Sequence, residues 1–130
     1  MKAKKILVVD DDVFISGAMQ KILESYDYEA SSYDQGQQAL DRLQQELFDI
    51  LITDFHMPEM DGLELIRRAK IIQPGIQAIL VTGLPTEEIR SKADQEELGG
   101  LLLKPIDWNE LRSLLANLSD SGKAQSKPKC

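Results

Sequence analysis

Apolar residues along this chain fall into two alternating patterns. Short runs at 5–10 (KILVVD), 49–54 (DILITD), 77–82 (QAILVT) and 100–104 (GLLLK) are nearly continuous in Ile, Leu and Val. Runs this short do not make helices, and their composition predicts strands buried on both faces. The segment 28–33 (YEASSY) is more polar and suits a strand at a sheet edge.

Between the runs the apolar spacing becomes helical. Ile15, Ala18, Met19 and Ile22 predict one face of a first helix, with Asp12 as its cap. Leu40, Leu43 and Leu47 predict a second, ahead of which Asp34 and Gln37 are spaced as N-cap and capping-box partner. Asp61 and Glu64 repeat that spacing before Leu65, Ile66 and Ala69, and Pro74-Gly75 closes the unit. A fourth helix, within 85–98, has only Ile89 and Ala93 as anchors among many charges and is expected to be the least firmly packed. Asp107 and Glu110 open a fifth, with Leu111, Leu114, Leu115 and Leu118 as its stripe and Trp108 half exposed in its first turn. Strand and helix alternate through five such units. That order predicts an α/β fold: a doubly wound five-stranded parallel sheet, order 2-1-3-4-5, flavodoxin-like, with helices on both faces.

Composition narrows the classes. The 130 residues include 15 Lys+Arg and 22 Asp+Glu, a net charge of −7, with 42% hydrophobic residues, which suits one domain. The domain is expected over 1–118, and the small, polar stretch 119–130 reads as a disordered tail or the start of a linker. A sequence pI near 4.7 argues against nucleic-acid binding by this segment. No apolar run nears the roughly 20 residues that span a bilayer. The N-terminus meets Asp10 too early for a signal-peptide core, so a cytoplasmic location without membrane attachment is expected. Cys130, the single cysteine, cannot form an internal disulfide.

Open α/β sheets bind ligands at the carboxyl ends of their strands. There the first strand ends in Asp10-Asp11-Asp12, the third in Asp54, the fourth in Thr82 and the fifth in Lys104-Pro105. No Gly-rich phosphate loop follows the first strand, which weakens nucleotide-binding readings. Converging carboxylates repel one another unless a cation shares the site, and an all-oxygen set selects Mg²⁺, or Mn²⁺, over zinc. Asp54, alone on its strand, is the candidate nucleophile toward phosphorus, giving an aspartyl phosphate. Thr82 can donate to one phosphoryl oxygen and Lys104 can pair with another.

Four motifs in order, Val8–Asp11 (VVDD), Asp54–Gly62 (DFHMPEMDG), Val81–Gly83 (VTG) and Leu103–Pro105 (LKP), each close a predicted strand. Over residues 4–118 the chain resembles the receiver domain of two-component response regulators. That resemblance implies that Asp54 accepts a phosphoryl group from a sensor histidine kinase or a phosphotransfer protein. It implies direct Mg²⁺ ligation by Asp11 and Asp54, a water-mediated role for Asp10, and a backbone carbonyl ligand from His56. Thr82 and Lys104 would contact the phosphoryl oxygens, Gly83 would let the loop after Thr82 move, and the Lys104–Pro105 peptide would be cis. The domain would act as a switch, not an enzyme, with at most self-phosphorylation from small donors and self-dephosphorylation. A changed surface on the fourth helix, fifth strand and fifth helix would control an effector protein or domain, and two copies could pair through it. Receivers usually carry Tyr, Phe or His three residues before the lysine, where this chain has Leu101. The switch is therefore expected in the loop after Thr82 and in the fourth helix, with Leu101 staying packed.

Two other readings are weaker. An aspartate-based phosphatase needs a second acid two residues after its nucleophile, where His56 stands. A phosphorylation-independent pseudo-receiver would have no use for the intact set Asp11, Asp54, Thr82 and Lys104. The His56 imidazole and Leu84 flank the path by which water would reach a phosphorylated Asp54.

Overall fold

The computed structural model describes the backbone of residues 4–124 and side chains as far as residue 118. Strands β1 (Lys5–Val9), β2 (Glu29–Tyr33), β3 (Ile50–Asp54), β4 (Gln77–Thr82) and β5 (Gly100–Leu103) alternate with five helices. These are α1 (Val13–Ser25), α2 (Gly36–Leu43), α3 (Gly62–Ile72), α4 (Glu87–Gln95) and α5 (Trp108–Ala124). All pairings are parallel and the order is β2-β1-β3-β4-β5, as the alternation predicts. The half-buried β2 takes an edge.

Side chains alternate across a pleated sheet, so each central strand feeds two cores. Leu7, Val9, Leu51, Ala78 and Leu80 pack under α2 and α3, joined by Ile89 of α4. Ile6, Val8, Ile50, Ile52, Ile79, Val81 and Leu102 pack under α1 and α5, where Met19, Leu23, Leu111, Leu115 and Leu118 are buried. Burying one such side chain contributes about 1.5–3 kcal/mol. Both faces being covered is what lets the inner strands be continuously apolar.

Caps set the helix starts. The Asp12 carboxylate accepts from the N–H groups of Phe14 and Ile15, Asp61 from Glu64, Thr86 from Ile89, and Asp107 from Asn109 and Glu110. The predicted Asp34–Gln37 box does not form. The N-cap of α2 is Gln35, one residue later and without a side-chain bond, and Gly36 follows it, buried where an added Cβ would lie 3.2 Å from Met60 Sδ. Gln37 instead donates to Asp41, 3.0 Å away.

The buried side of α1 is Ser16, Met19 and Leu23, while Ile15 and Ile22 are half-buried and Ala18 is exposed. The helix is thus rotated from the predicted face. Ser16 tolerates burial because its hydroxyl donates to the Val13 carbonyl, which apolar spacing alone does not register. Leu47 lies beyond α2 and is exposed. The chain turns away there because the buried Gln73 amide donates to the carbonyls of Leu43 and Glu46 and accepts from the Phe48 N–H. Three main-chain groups at the end of α2 are thereby satisfied, as helix termini require.

Helix α4 is short and buries only Ile89 and Ala93. Its C-terminal end is tied to α3: Arg67 pairs with Glu96 at 3.0 Å, and the Lys70 ammonium donates to the carbonyls of Glu96 and Glu97. Helix α5 continues past Leu118 to Ala124, since no proline interrupts the chain before Pro128. Residues 125–130 of the expected tail, with Cys130, lie outside the described residues.

Candidate functional site

The acidic cluster forms where β1 and β3, neighbours in the sheet, run out at their carboxyl ends. Carboxylate oxygens of Asp10, Asp11 and Asp54 lie within 4.8 Å of one another. Asp10 and Asp54 are buried, and Asp11 is exposed at the rim. From the far side of β4, the Lys104 ammonium reaches 3.2 Å from Asp10 Oδ2 and 3.2 Å from Asp54 Oδ1. Among the described residues, no buried side-chain polar atom lacks a hydrogen-bond partner.

Burial, followed by the charge on Asp54, raises the Asp10 pKa above the usual carboxylate value, although the Asp12 N–H and Lys104 pull the other way. Burial alone would lower the Lys104 pKa, but the Asp10 and Asp54 charges outweigh it and the pKa rises. Three carboxylates and one ammonium make up the site, so it holds more negative charge than its lysine neutralises. Its donors are all hard oxygens, so the residues fit a small divalent cation such as Mg²⁺.

Thr82 is fully buried at the end of β4, and its hydroxyl accepts from the Leu84 N–H at 3.1 Å. The Lys104 N–H donates to the Thr82 carbonyl at 2.9 Å, which couples the ends of β4 and β5. The Lys104–Pro105 peptide is cis, and Pro105 and Gly83 are both exposed. His56 is exposed in the β3–α3 loop with its ring edge-on to Phe55, the centroids 4.7 Å apart. His56 and Leu84 line one cleft of about 230 Å³ with Phe55, Thr86, Glu88, Ile89 and Lys92. Leu101 stands apart from the acidic cluster. Half-buried against the α2–α3 core, it lines a groove with Arg90, Ala93 and Leu98 of the α4 region. Asp12 is outside the cluster and serves as a cap.

Gly62, whose place at the end of the second motif reads as relief of backbone crowding, lies directly against the Asp54 main chain. A Cβ at residue 62 would overlap the Asp54 carbonyl oxygen and lie 3.0 Å from its carbonyl carbon.

A 2-1-3-4-5 parallel sheet with an acidic, lysine-bridged cluster at its carboxyl edge defines a class of small doubly wound domains built around a cation and an anionic ligand. The sequence model of the response regulator receiver domain matches residues 6–116, and the chain belongs to that family. It is therefore a phosphorylation-type signalling domain of two-component systems. Receiver domains bind Mg²⁺ at an acidic cluster of this kind and interact with histidine kinases or phosphotransfer proteins and with effector domains. The response regulator receiver protein CpdR of Brucella abortus (strain 2308) is 37% identical over 108 residues, covering 83% of this chain and 90% of its own. The transcriptional regulatory protein ZraR of Escherichia coli (strain K12) is 31% identical over 110 residues, 85% of this chain. The match spans only 25% of ZraR's length. A CheY-like receiver domain protein from Methanospirillum hungatei JF-1 superposes with a TM-score of 0.90 at 27% identity, over 95% of this chain and 99% of its own. No helix among the described residues is long and apolar enough to cross a membrane.

Proposed function

We propose that Asp54 is the phosphoacceptor, taking a phosphoryl group from the phosphohistidine of a sensor kinase or phosphotransfer protein. The observation that carries this reading is the position of Asp54: buried, 3.2 Å from the Lys104 ammonium and within the carboxylate cluster. In the transfer, an Asp54 carboxylate oxygen forms a bond to phosphorus as the P–N bond to the donor imidazole breaks. Lys104 then pairs with a phosphoryl oxygen, and the Thr82 hydroxyl, which accepts from the Leu84 N–H and keeps its own proton to give, donates to another. Asp11 and Asp54 with the His56 carbonyl would hold Mg²⁺ directly, and Asp10 would hold one of its waters. When bound there, such a cation would supply charge neutralisation for the incoming phosphoryl group and screening between the carboxylates.

The new dianionic group would draw Thr82 inward and carry the β4–α4 loop with it through Gly83, changing the surface of α4, β5 and α5 toward a partner. Turnover is limited to self-phosphorylation from small donors and self-dephosphorylation. Family membership supports a cytoplasmic setting, and an effector protein or domain, or a second copy of the chain, as recipient of the changed surface. The domain is assigned to 1–118, with α5 carrying the chain on as a helix to Ala124 before the proposed tail or linker.

Intact-mass measurement after incubation with acetyl phosphate and Mg²⁺ tests the assignment. Wild type gains one phosphoryl group; Asp54→Asn gains none, and chelation abolishes labelling. Equal labelling of the two proteins rules Asp54 out.

A further inference from the structure

The loop between β3 and α3 is closed by backbone contacts at both of its ends. The Phe55 N–H donates to the Val81 carbonyl at 2.8 Å, and the Gly62 N–H donates to the Phe55 carbonyl at 2.9 Å. The second bond folds the chain back so that the first residue of α3 lies on the last residue of β3. No side chain fits between them. An added Cβ at residue 62 would overlap the Asp54 carbonyl oxygen and lie 2.9 Å from Leu80 Cδ1 as well as 3.0 Å from the Asp54 carbonyl carbon. The flexible tip of Leu80 can give way. The Asp54 carbonyl belongs to a strand paired on both sides, with β1 and with β4, and has no comparable freedom.

We infer that Gly62 is a positioning residue for phosphoryl transfer: its missing side chain lets the Asp54 main chain seat the carboxylate between Lys104 and the acidic cluster. This rests on Asp54 being the phosphoacceptor. Gly62 has an ordinary negative φ, since no glycine of the described residues is in the left-handed region. Its requirement is therefore for space against Asp54, not for an unusual backbone conformation. Any side chain here displaces either Asp54 or the Phe55–Asp61 loop that carries the His56 carbonyl. Both displacements alter the site, because the Lys104–Asp54 separation is already at the length of a close ion pair.

The test measures acetyl phosphate labelling rates, Mg²⁺ affinity by calorimetry, and thermal stability of the full chain. Gly62→Ala is compared with Leu80→Val, with the double variant, and with Gln73→Ala, which destabilises the protein at the opposite end of the sheet. Gly62→Ala is expected to fold with lowered stability and to lose ~10- to 100-fold in maximal labelling rate, as ångström-scale misplacement does. Its Mg²⁺ affinity should fall as well. In the double variant rate and affinity stay low, because the overlap with the Asp54 carbonyl remains when Leu80 Cδ1 is gone. Gln73→Ala is expected to lose stability but keep both. The inference is overturned if Gly62→Ala labels at the wild-type rate, if Leu80→Val restores rate together with stability, or if Gln73→Ala loses rate in step with its stability. Failure of both proteins carrying Gly62→Ala to fold would also overturn it, by making the glycine a requirement of the fold. Labelling of Asp54→Asn, measured alongside, reports separately on the phosphoacceptor assignment.

Discussion

The Lys104 ammonium lies 3.2 Å from Asp54 Oδ1, bridging the ends of two strands that β4 separates. It is equally close to Asp10, so one cation serves two buried carboxylates while the third member of the cluster, Asp11, faces solvent. Three carboxylates thus face one ammonium, an arrangement that suits a bound cation and has consequences for stability.

Asp10→Asn keeps the Oδ1 acceptor for the Asp12 N–H, 2.9 Å away, and removes a charge. Burial and the Asp54 charge raise the Asp10 pKa in the folded state. Between the ordinary and the raised value the native protein binds more protons than the unfolded chain, so stability falls as pH rises through that window. The cost is complete above it. Without metal near pH 7, Asp10→Asn is expected to be more stable than wild type by about 1 kcal/mol, or ~4 °C in Tm. The two proteins should converge below the ordinary carboxylate pKa. Thermal melts in chelator across pH check this, and a less stable variant at neutral pH would refute it.

Asp11 and Asp12 are adjacent in sequence and divided in role. Asp11 belongs to the cluster, whereas the Asp12 carboxylate is committed to the first turn of α1. Asp11→Ala is expected to weaken Mg²⁺ binding at least ~tenfold, which is about 1.4 kcal/mol. Asp12→Ala should leave Mg²⁺ affinity nearly unchanged and cost about 1 kcal/mol of stability. Calorimetric titration showing equal losses of affinity would contradict this division.

Sheet order, the two-core arrangement and the residues of the cluster were legible because they depend on periodicity and on the polar residues that end each strand. Leu111 and Leu115 declare a buried stripe, and Asp54 declares itself by ending a strand before a loop that no helix could enter at once. The features that escaped prediction depend on tertiary partners. Gln73 ends α2 from 30 residues beyond Leu43 and leaves no local pattern. The rotation of α1 escaped because a buried serine satisfied by Val13 breaks the apolar count.

Leu101 bears on how the signal leaves the site. It is held against the α2–α3 core and has no polar tip to satisfy in the groove it lines. Hydrogen exchange with Mg²⁺ and beryllofluoride, a phosphoryl mimic, is expected to change most between Gly83 and Leu98. The β5 amides around Leu101 should change least, since they lie in the sheet ladder with β4. A dominant change in β5 with α4 unaffected would refute this route.

Helix α4 has one lightly held end and one fastened end. Arg67 and Lys70 hold its C-terminal side to α3, while its start comes after the exposed Gly83–Leu84 turn and is anchored by the Thr86 cap and Ile89. The pull on Thr82 proposed for the phosphorylated state would enter at the lightly held end. The helix would then act as a lever with its fulcrum on α3, and a small advance of the β4–α4 loop would become a swing instead of a slide. Cutting the fastening with Arg67→Ala would turn the same pull into drift.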